Sequence, residues 1–333
     1  MRRPLFDTRR MHKLLEDLTR LRILVVGDLM LDHYVWGDAT RLSPEAPVPI
    51  VKVERDSYTA GGAANVAANL RALGVQAEVL GTLGADAFGD SLRAILRQRG
   101  AAVDESAVRS DRVSTIVKTR VMCRSQQLCR LDREGPCEAY ALSAAALAAL
   151  PAKLAAADAV ILSDYAKGVI TSETIRLIQG LARPGQIVAL DPKPRSGLSF
   201  SGVSLMTPNK AEALQLAGLH GAEAGSVSLA AVASRVYEKY APRQLVITLG
   251  GDGMLLCTEG RPGRQIPTAA REVFDVSGAG DTVIATLTAA LAAGADLDRA
   301  AALANLAAGV VVGKVGTAVA TPAEILAHAS AGA

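Results

Sequence analysis

Val160-Ile-Leu-Ser-Asp164 is followed by a helix-like stretch over residues 171–182 and then by Ile187-Val-Ala-Leu-Asp191. Both short runs are apolar on alternate and adjacent positions alike and end in an aspartate, the pattern of a strand buried on both faces of a parallel sheet. The stretch between them supplies the crossover helix that parallel neighbours need. The same kind of run recurs at Ile23-Leu-Val-Val-Gly-Asp28, Val203-Ser-Leu-Met-Thr-Pro-Asn209 and Leu245-Val-Ile-Thr-Leu-Gly250, with helix-like stretches at 226–240, 281–293 and 298–311. This alternation predicts an α/β fold, a doubly wound, mostly parallel sheet flanked by helices. Ligands of such sheets sit beyond the carboxyl ends of the strands, which gathers Asp28, Asp164, Asp191, Asn209 and Gly250 at one edge.

The 333 residues carry 36 Lys and Arg against 33 Asp and Glu, a net charge of +3. That balance is too even for a surface devoted to polyanions, so no nucleic-acid partner is expected. Hydrophobic residues make up 50% and aromatic residues only 3%, which calls for an interior of Ala, Val, Leu and Ile in sheet and helix layers, read as one domain over 1–333. Cys123, Cys129, Cys137 and Cys257 lack CxxC spacing and read as reduced thiols of a cytoplasmic protein. The N-terminus is basic (Arg2, Arg3, Arg9, Arg10), but the first apolar run is broken by Asp28 and no export signal is expected. No apolar stretch is long enough for a membrane span, so no membrane partner is expected either.

Two stretches break the alternation. Residues 47–58 and 113–132 show two-residue periodicity without an intervening helix and read as antiparallel strands of a small separate sheet. In the second, Ile116, Lys118, Arg120, Met122 and Arg124 share one face, and Thr115, Val117, Thr119, Val121 and Cys123 the other. At about 3.3 Å per residue, Lys118 and Arg124 stand about 20 Å apart, so one phosphate meets only one or two of these cations. The alternative is that the charges block edge-to-edge pairing.

Asp275-Val-Ser-Gly278-Ala-Gly280-Asp281-Thr runs directly into an apolar helical stretch. Small residues at Gly278, Ala279 and Gly280 let backbone N–H groups close on an anion, and a helix N-terminus adds its dipole. Asp281 is then either a general base for a substrate hydroxyl or an ordinary helix cap after a glycine turn. Ala60-Gly61-Gly62-Ala-Ala-Asn65 opens a second helix that ends at Gly74; its bare glycines and Asn65 suit a sugar's hydroxyls, or simply close packing. Asn209 and Glu212, three apart, would share a helix face and hold a hydrated Mg²⁺. Neither a G-x-x-x-x-G-K-[ST] nor a G-x-G-x-x-G after a strand occurs, which removes the P-loop and dinucleotide folds. His12, His33, His220 and His328 form neither HExxH nor H-x-G-H, and structural roles are expected for them.

Taken in chain order, Gly61-Gly62-Ala-Ala-Asn65, Asn209-Lys210-Ala211-Glu212, Thr248-Leu-Gly-Gly-Asp-Gly253 and Asp275-Val-Ser-Gly-Ala-Gly-Asp281-Thr resemble the ribokinase/PfkB family of carbohydrate kinases, from about Arg22 to Thr321. The resemblance implies a ribokinase-like fold with a β-strand lid from about 36–59 and 112–134, ATP with Mg²⁺, and phosphoryl transfer to a sugar. Arg41-Leu-Ser-Pro-Glu-Ala-Pro-Val-Pro, Arg124-Ser-Gln-Gln-Leu-Cys-Arg-Leu-Asp132, Leu162-Ser-Asp-Tyr-Ala-Lys-Gly168 and Gly309-Val-Val-Val-Gly-Lys-Val-Gly-Thr317 look like members that phosphorylate D-glycero-β-D-manno-heptose 7-phosphate at O1, a step toward ADP-heptose and lipopolysaccharide core. Without an H-x-G-H, the chain reads as the form not fused to an adenylyltransferase.

By the same resemblance, Asp281 is the catalytic base and Gly278, Ala279 and Gly280 the anion hole. Asp28 or Asp32, with Gly61, Gly62 and Asn65, holds sugar hydroxyls. Asn209 and Glu212 belong to the Mg²⁺ motif, with Lys210 and Ala211 beside the nucleotide. Thr248, Gly250, Gly253 and Asn305 flank adenine and ribose, and Asp275 and Ser277 fall where many members bind potassium. A substrate that already bears a phosphate needs a cationic anchor, for which Lys118, Arg120, Arg124, Arg130 and Lys167 are candidates. Lid strands in this family often pair between subunits, and the apolar face Val48, Ile50, Val117 and Val121 is too small to stand alone, so a homodimer is expected. The rival readings are a kinase for another sugar phosphate, such as fructose 1-phosphate or tagatose 6-phosphate, and a non-catalytic ligand-binding regulator.

Overall fold

The structure, a computed structural model, describes residues 8–104, 109–124, 126–219 and 227–331. Arg2, Arg3, His220 and position 226, where the sequence opens a helix, lie outside the described residues. The strands in chain order are β1 (Arg22–Gly27), β2 (Leu29–Leu42), β3 (Pro49–Gly62), β4 (Gln76–Leu80), β5 (Leu83–Gly84), β6 (Ala102–Val103), β7 (Arg109–Ser110), β8 (Ile116–Cys123), β9 (Gln126–Arg133), β10 (Ala159–Ser163), β11 (Ile187–Asp191), β12 (Leu205–Met206), β13 (Gln244–Thr248), β14 (Met254–Thr258) and β15 (Arg261–Ile266).

Among the described residues the main sheet has nine strands in the order β15-β14-β13-β12-β11-β10-β1-β4-β6. The five apolar runs of the sequence are its adjacent parallel strands β1, β10, β11, β12 and β13. Their side chains divide between two cores: Ile23 and Val25 of β1 belong to one, Leu24 and Val26 to the other. That two-sided burial is why the runs are continuously apolar. Helices Ser172–Leu181, Leu229–Tyr240 and Leu297–Val311 start where Thr171, Ser228 and Asp296 accept a backbone N–H, close to the positions expected. Strands β4, β6, β14 and β15 extend the sheet beyond the sequence reading, with β14 and β15 antiparallel at one edge. No helix among the described residues is long and apolar enough to cross a membrane.

The small sheet has the order β3-β2-β8-β9. Its hairpins β2–β3 and β8–β9 are antiparallel, as the periodicity indicates, but β2 and β8 pair in parallel. Strand β2 carries no visible alternation because its root, from Leu29 to Asp32, is buried on both faces. Val117 is likewise buried in the main core rather than on the lid's apolar face; large apolar residues exposed on this sheet and just before β3 include Leu42, Val48, Val53, Tyr58, Leu128 and Leu131. The periodicity of β8 ends at Cys123, since Arg124 turns the hairpin with φ 54°.

Asp86 fastens the root of the lid to the core. Its carboxylate accepts Gly89 N–H at 2.8 Å, capping helix Ala87–Gln98, and also Thr115 N–H and Oγ1–H, each at 2.8 Å. Burial alone would raise this carboxyl, yet the Thr115 and Gly89 donors hold it below the usual range. Asp86→Ala removes three bonds at once and is expected to lower unfolding stability by about 1–3 kcal/mol, read by denaturant titration; an unchanged midpoint would contradict the clamp.

Candidate active site

Helix Ala279–Ala292 begins at Gly278, whose left-handed backbone (φ 79°) serves as its cap without any side-chain bond. Asp281 therefore lies in the first turn but is not the cap, which removes the ordinary reading of this residue. Its carboxylate is only 3% exposed. Asn65 Nδ2 donates to its Oδ2 at 2.8 Å and Tyr165 Oη to its Oδ1 at 2.7 Å. Burial pushes the Asp281 carboxyl up to about 6, with the Asn65 and Tyr165 bonds opposing the rise and nearby Asp32 adding to it.

Asn65 is oriented in turn. Asn69 Nδ2 donates to the Asn65 backbone carbonyl at 2.9 Å and to its Oδ1 at 3.3 Å, while Thr282 Oγ1 donates to Asn69 Oδ1 at 2.8 Å. Asn65 and Asn69, four apart on helix Ala63–Ala72, thus meet Asp281 and Thr282, adjacent on the facing helix. Neither Asn69 nor Thr282 was singled out in the sequence, though the i, i+4 asparagine pair in an alanine-rich helix is a visible signal.

Asp28 is placed otherwise than expected. It is 1% exposed, and it accepts Tyr165 N–H (2.8 Å) and Lys167 N–H (3.0 Å) on Oδ2 and Val169 N–H (3.0 Å) on Oδ1. A carboxylate so engaged folds the loop after β10 and is not turned to a sugar. Asp32 is the one that adjoins the expected sugar residues: Arg120 donates to it at 2.5 Å, and it lies against Gly61, where a Cβ would approach Asp32 Oδ2 to 2.6 Å.

The candidate cations separate into groups. Arg120 is committed to Asp32, and Arg124, at the outer end of the lid, pairs with Asp38 at 3.3 Å, so Arg124 is not brought to the site. Lys167 and Arg130 lie close enough to repel Lys118. Arg130 is bidentate on Asp132 (2.8 and 2.9 Å) and Lys167 pairs with Glu134 at 2.5 Å, while Lys118 has no ion pair among the described residues and stands 5.3 Å from the Tyr165 ring centre. Burial lowers the Lys118 ammonium, against the pull of Asp32.

A cleft at the glycine turn is lined by Thr248, Gly250, Gly253 and Asn305 together with Ala279 and Gly280, so four of the expected nucleotide residues converge there, while Asn209, Lys210, Ala211 and Glu212 do not line it. Asn305 fastens its wall, donating to Pro267 O at 2.7 Å and accepting Ala269 N–H at 3.2 Å. Asn209 and Glu212 do not share a helix face: Asn209 caps helix Lys210–Leu216, and the two side chains form a reciprocal capping box. Glu212 also meets Lys193 Nζ at 3.0 Å. Asp191, half-buried nearby, is raised well above the usual range by its desolvation and then by Glu212 and Asp281. Asp275 accepts Ser277 N–H (2.8 Å) and Gly316 N–H (3.0 Å), joining the glycine turn to the 316–317 loop.

The family description "pfkB family carbohydrate kinase" matches residues 20–324. The bifunctional protein HldE of Azotobacter vinelandii is 48% identical over 300 residues, covering 90% of this chain and 61% of that protein; the chain thus spans about three fifths of the length of the curated relatives it matches. Among solved structures, Arabidopsis thaliana ribokinase complexed with ribose and ATP superposes with a TM-score of 0.71 at 21% identity, covering 92% of this chain and 98% of that one. Escherichia coli phosphofructokinase-2 in complex with potassium gives a TM-score of 0.73 at 17% identity, covering 94% and 100%. These likenesses bear out the expected ribokinase-like fold.

The loop that carries Tyr165 and Lys167 depends on Gly168, which has φ 116° and whose added Cβ would overlap the Cys137 carbonyl oxygen. Gly168→Ala is expected to cost about 1–3 kcal/mol in strain, observed as a drop of roughly 2–4 °C in Tm per kcal/mol. An unaltered Tm would show that the loop tolerates a side chain there.

Proposed function

Because the chain belongs to the pfkB family of carbohydrate kinases, phosphotransferases with an alcohol acceptor, we propose that it transfers the γ-phosphoryl group of ATP to O1 of D-glycero-β-D-manno-heptose 7-phosphate, giving the 1,7-bisphosphate that leads to ADP-heptose. The observation that carries this reading is Asp281: a buried carboxylate in the first turn of a helix, beside the Gly278–Gly280 amides, and held only by neutral donors. Such a group takes the proton from the acceptor hydroxyl as that oxygen bonds to the γ-phosphorus and the bond to ADP breaks. The amides of the glycine turn and the helix dipole stabilise the charge on the moving phosphoryl group. The cleft beside Gly280 takes the nucleotide, with Val273 and Val276 as apolar wall.

Among the described residues no three His, Cys, Asp or Glu side chains are arranged to hold a metal on their own. Mg²⁺ typically keeps its waters and relies on one or two carboxylates plus substrate phosphates, and the crowding of Asp191 by Glu212 is chemistry that a dication relieves. Asn209 and Glu212 would hold Mg²⁺ there through water, and it would neutralise phosphate charge. Potassium is proposed at the loop that Asp275 and Ser277 shape; the E. coli phosphofructokinase-2 likeness supports the idea of a monovalent ion in this fold.

The remote phosphate of the sugar is assigned to Lys118, with Arg130 and Lys167 beside it. Lys118 supports this because it is the cation of the group that lacks a carboxylate partner among the described residues. The exposed Val48, Val53, Leu128 and Leu131 support pairing of the lid with a second copy. The work of such a protein is done in the cytoplasm, where ATP is available.

ADP release measured across heptose 7-phosphate, fructose 1-phosphate, ribose and adenosine tests the reaction: turnover is expected with the heptose, and a preference for another acceptor would replace it. Asp281→Asn is expected to lower kcat about 10²- to 10⁴-fold. Since the base must be ionised, wild-type activity should fall as pH drops through about 6; a profile flat to pH 5 would remove Asp281 from this role. Lys118→Met is expected to raise KM for the sugar phosphate at least tenfold while leaving KM for ATP unchanged, measured by initial rates.

A further inference from the structure

Tyr165 has no part in the reaction as described so far, yet its hydroxyl is bonded to the carboxylate on which that reaction rests. Resting on the kinase reading above, we infer that Tyr165 is a positioning residue for the transfer, holding Asp281 in one orientation and in its ionised form until the acceptor hydroxyl arrives.

The geometry makes this specific. A carboxylate has about four lone-pair sites; Asn65 fills one on Oδ2 and Tyr165 one on Oδ1, leaving the rest for a substrate hydroxyl. Burial, followed by the charges of Asp281 and Asp191, raises the Tyr165 phenol well above its ordinary value, so it stays protonated and donates. The remaining charged groups facing Asp281 are Asp32 and Lys118 from the lid sheet, with Asp191 at the end of β11. They partly oppose one another, and of the groups bonded directly to the carboxylate only Asn65 and Tyr165 favour its ionised form.

Tyr165 is itself held firmly. Asp28 accepts the backbone N–H groups of residues 165, 167 and 169, Ala166 takes a left-handed conformation (φ 58°), and the Lys118 ammonium lies over the ring. A buried carboxylate that binds three amides of one short loop has a clear purpose if the loop must deliver a hydroxyl to a fixed point. Asp28 thereby acts on the base through Tyr165.

The test compares wild type with Tyr165→Phe, measuring kcat and KM with ATP and the phosphorylated sugar that turns over, from pH 5 to 8.5. The variant should lose about tenfold to a hundredfold in kcat at pH 7, keep its KM for ATP, and show an acid limb displaced upward by about one pH unit. A 3-fluorotyrosine placed at 165, a stronger donor of nearly the same shape, should displace the limb downward, which keeps the inference testable if Tyr165→Phe folds poorly. The ¹³C carboxyl resonance of Asp281, identified by its loss in Asp281→Asn, should titrate with the same displacements and needs no turnover. An acid limb and a carboxyl titration unmoved by both replacements would overturn the role of Tyr165 while leaving the kinase reading intact. Absence of ADP release from wild type with every phosphorylated sugar, alongside a displaced carboxyl titration, would overturn the reaction and keep the Tyr165–Asp281 coupling.

Discussion

Parallel strands end together, and here they bring carboxylates to one buried edge of the sheet. Asp28 follows β1, Asp164 follows β10 and Asp191 ends β11, while Asp32 and Asp281 reach the same region from the lid and from helix Ala279–Ala292. Burying negative charge is costly unless it is paired or hydrogen-bonded, and each aspartate meets that constraint differently. Asp28 takes backbone amides, Asp164 takes Arg195 at 2.6 Å and Ala166 N–H, and Asp32 takes Arg120. Among the described residues Asp281 receives only neutral donors, and Asp191 accepts the Thr207 hydroxyl at 3.0 Å. Asp28 and Asp164, matched to amides and to a cation, hold loops in place, while a buried carboxylate with neutral partners, as at Asp281, keeps the capacity to exchange a proton.

The lid belongs to the same arrangement. Its root is part of the interior, with Leu29, Leu31 and Val117 in the main core and Ile116 packed with Met30 and Tyr140. From that root it reaches the loop beside the glycine turn, where Thr59 and Thr317 hydroxyls meet at 2.5 Å and Tyr34 lies against Gly316. Asp275 ties Gly316 back to the turn that opens the Asp281 helix. Lid and glycine turn are therefore joined by direct contacts, and outward of them the lid becomes exposed, with every residue of β9 in solvent.

Several of these features were legible residue by residue. Strands β1, β10, β11 and β13 announce themselves because both faces are buried; Met254–Thr258 is buried on both faces too but follows β13 without a crossover helix and pairs with it antiparallel, and the run Gln76–Leu80 is interrupted by Glu78. Asp281 as a site residue was visible from the glycines before it. Whether it was a cap or a base was not, because Asn65 lies 216 positions away and Tyr165 116. Asp28 and Asp32 are interchangeable in the sequence, and their partners separate them, backbone amides for Asp28 and Arg120 for Asp32.

Composition, two-sided apolar runs and the glycine-rich turn determined by themselves the layered α/β architecture, the edge at which a site forms and the aspartate at its centre, since these depend on local backbone geometry and on burial pattern. Which aspartate binds amides, which meets a cation and which keeps a titratable proton was decided only by the tertiary structure. The reason is physical: a carboxylate's state is set by the donors and charges within a few ångströms, and here those come from distant segments that only the folded sheet brings together.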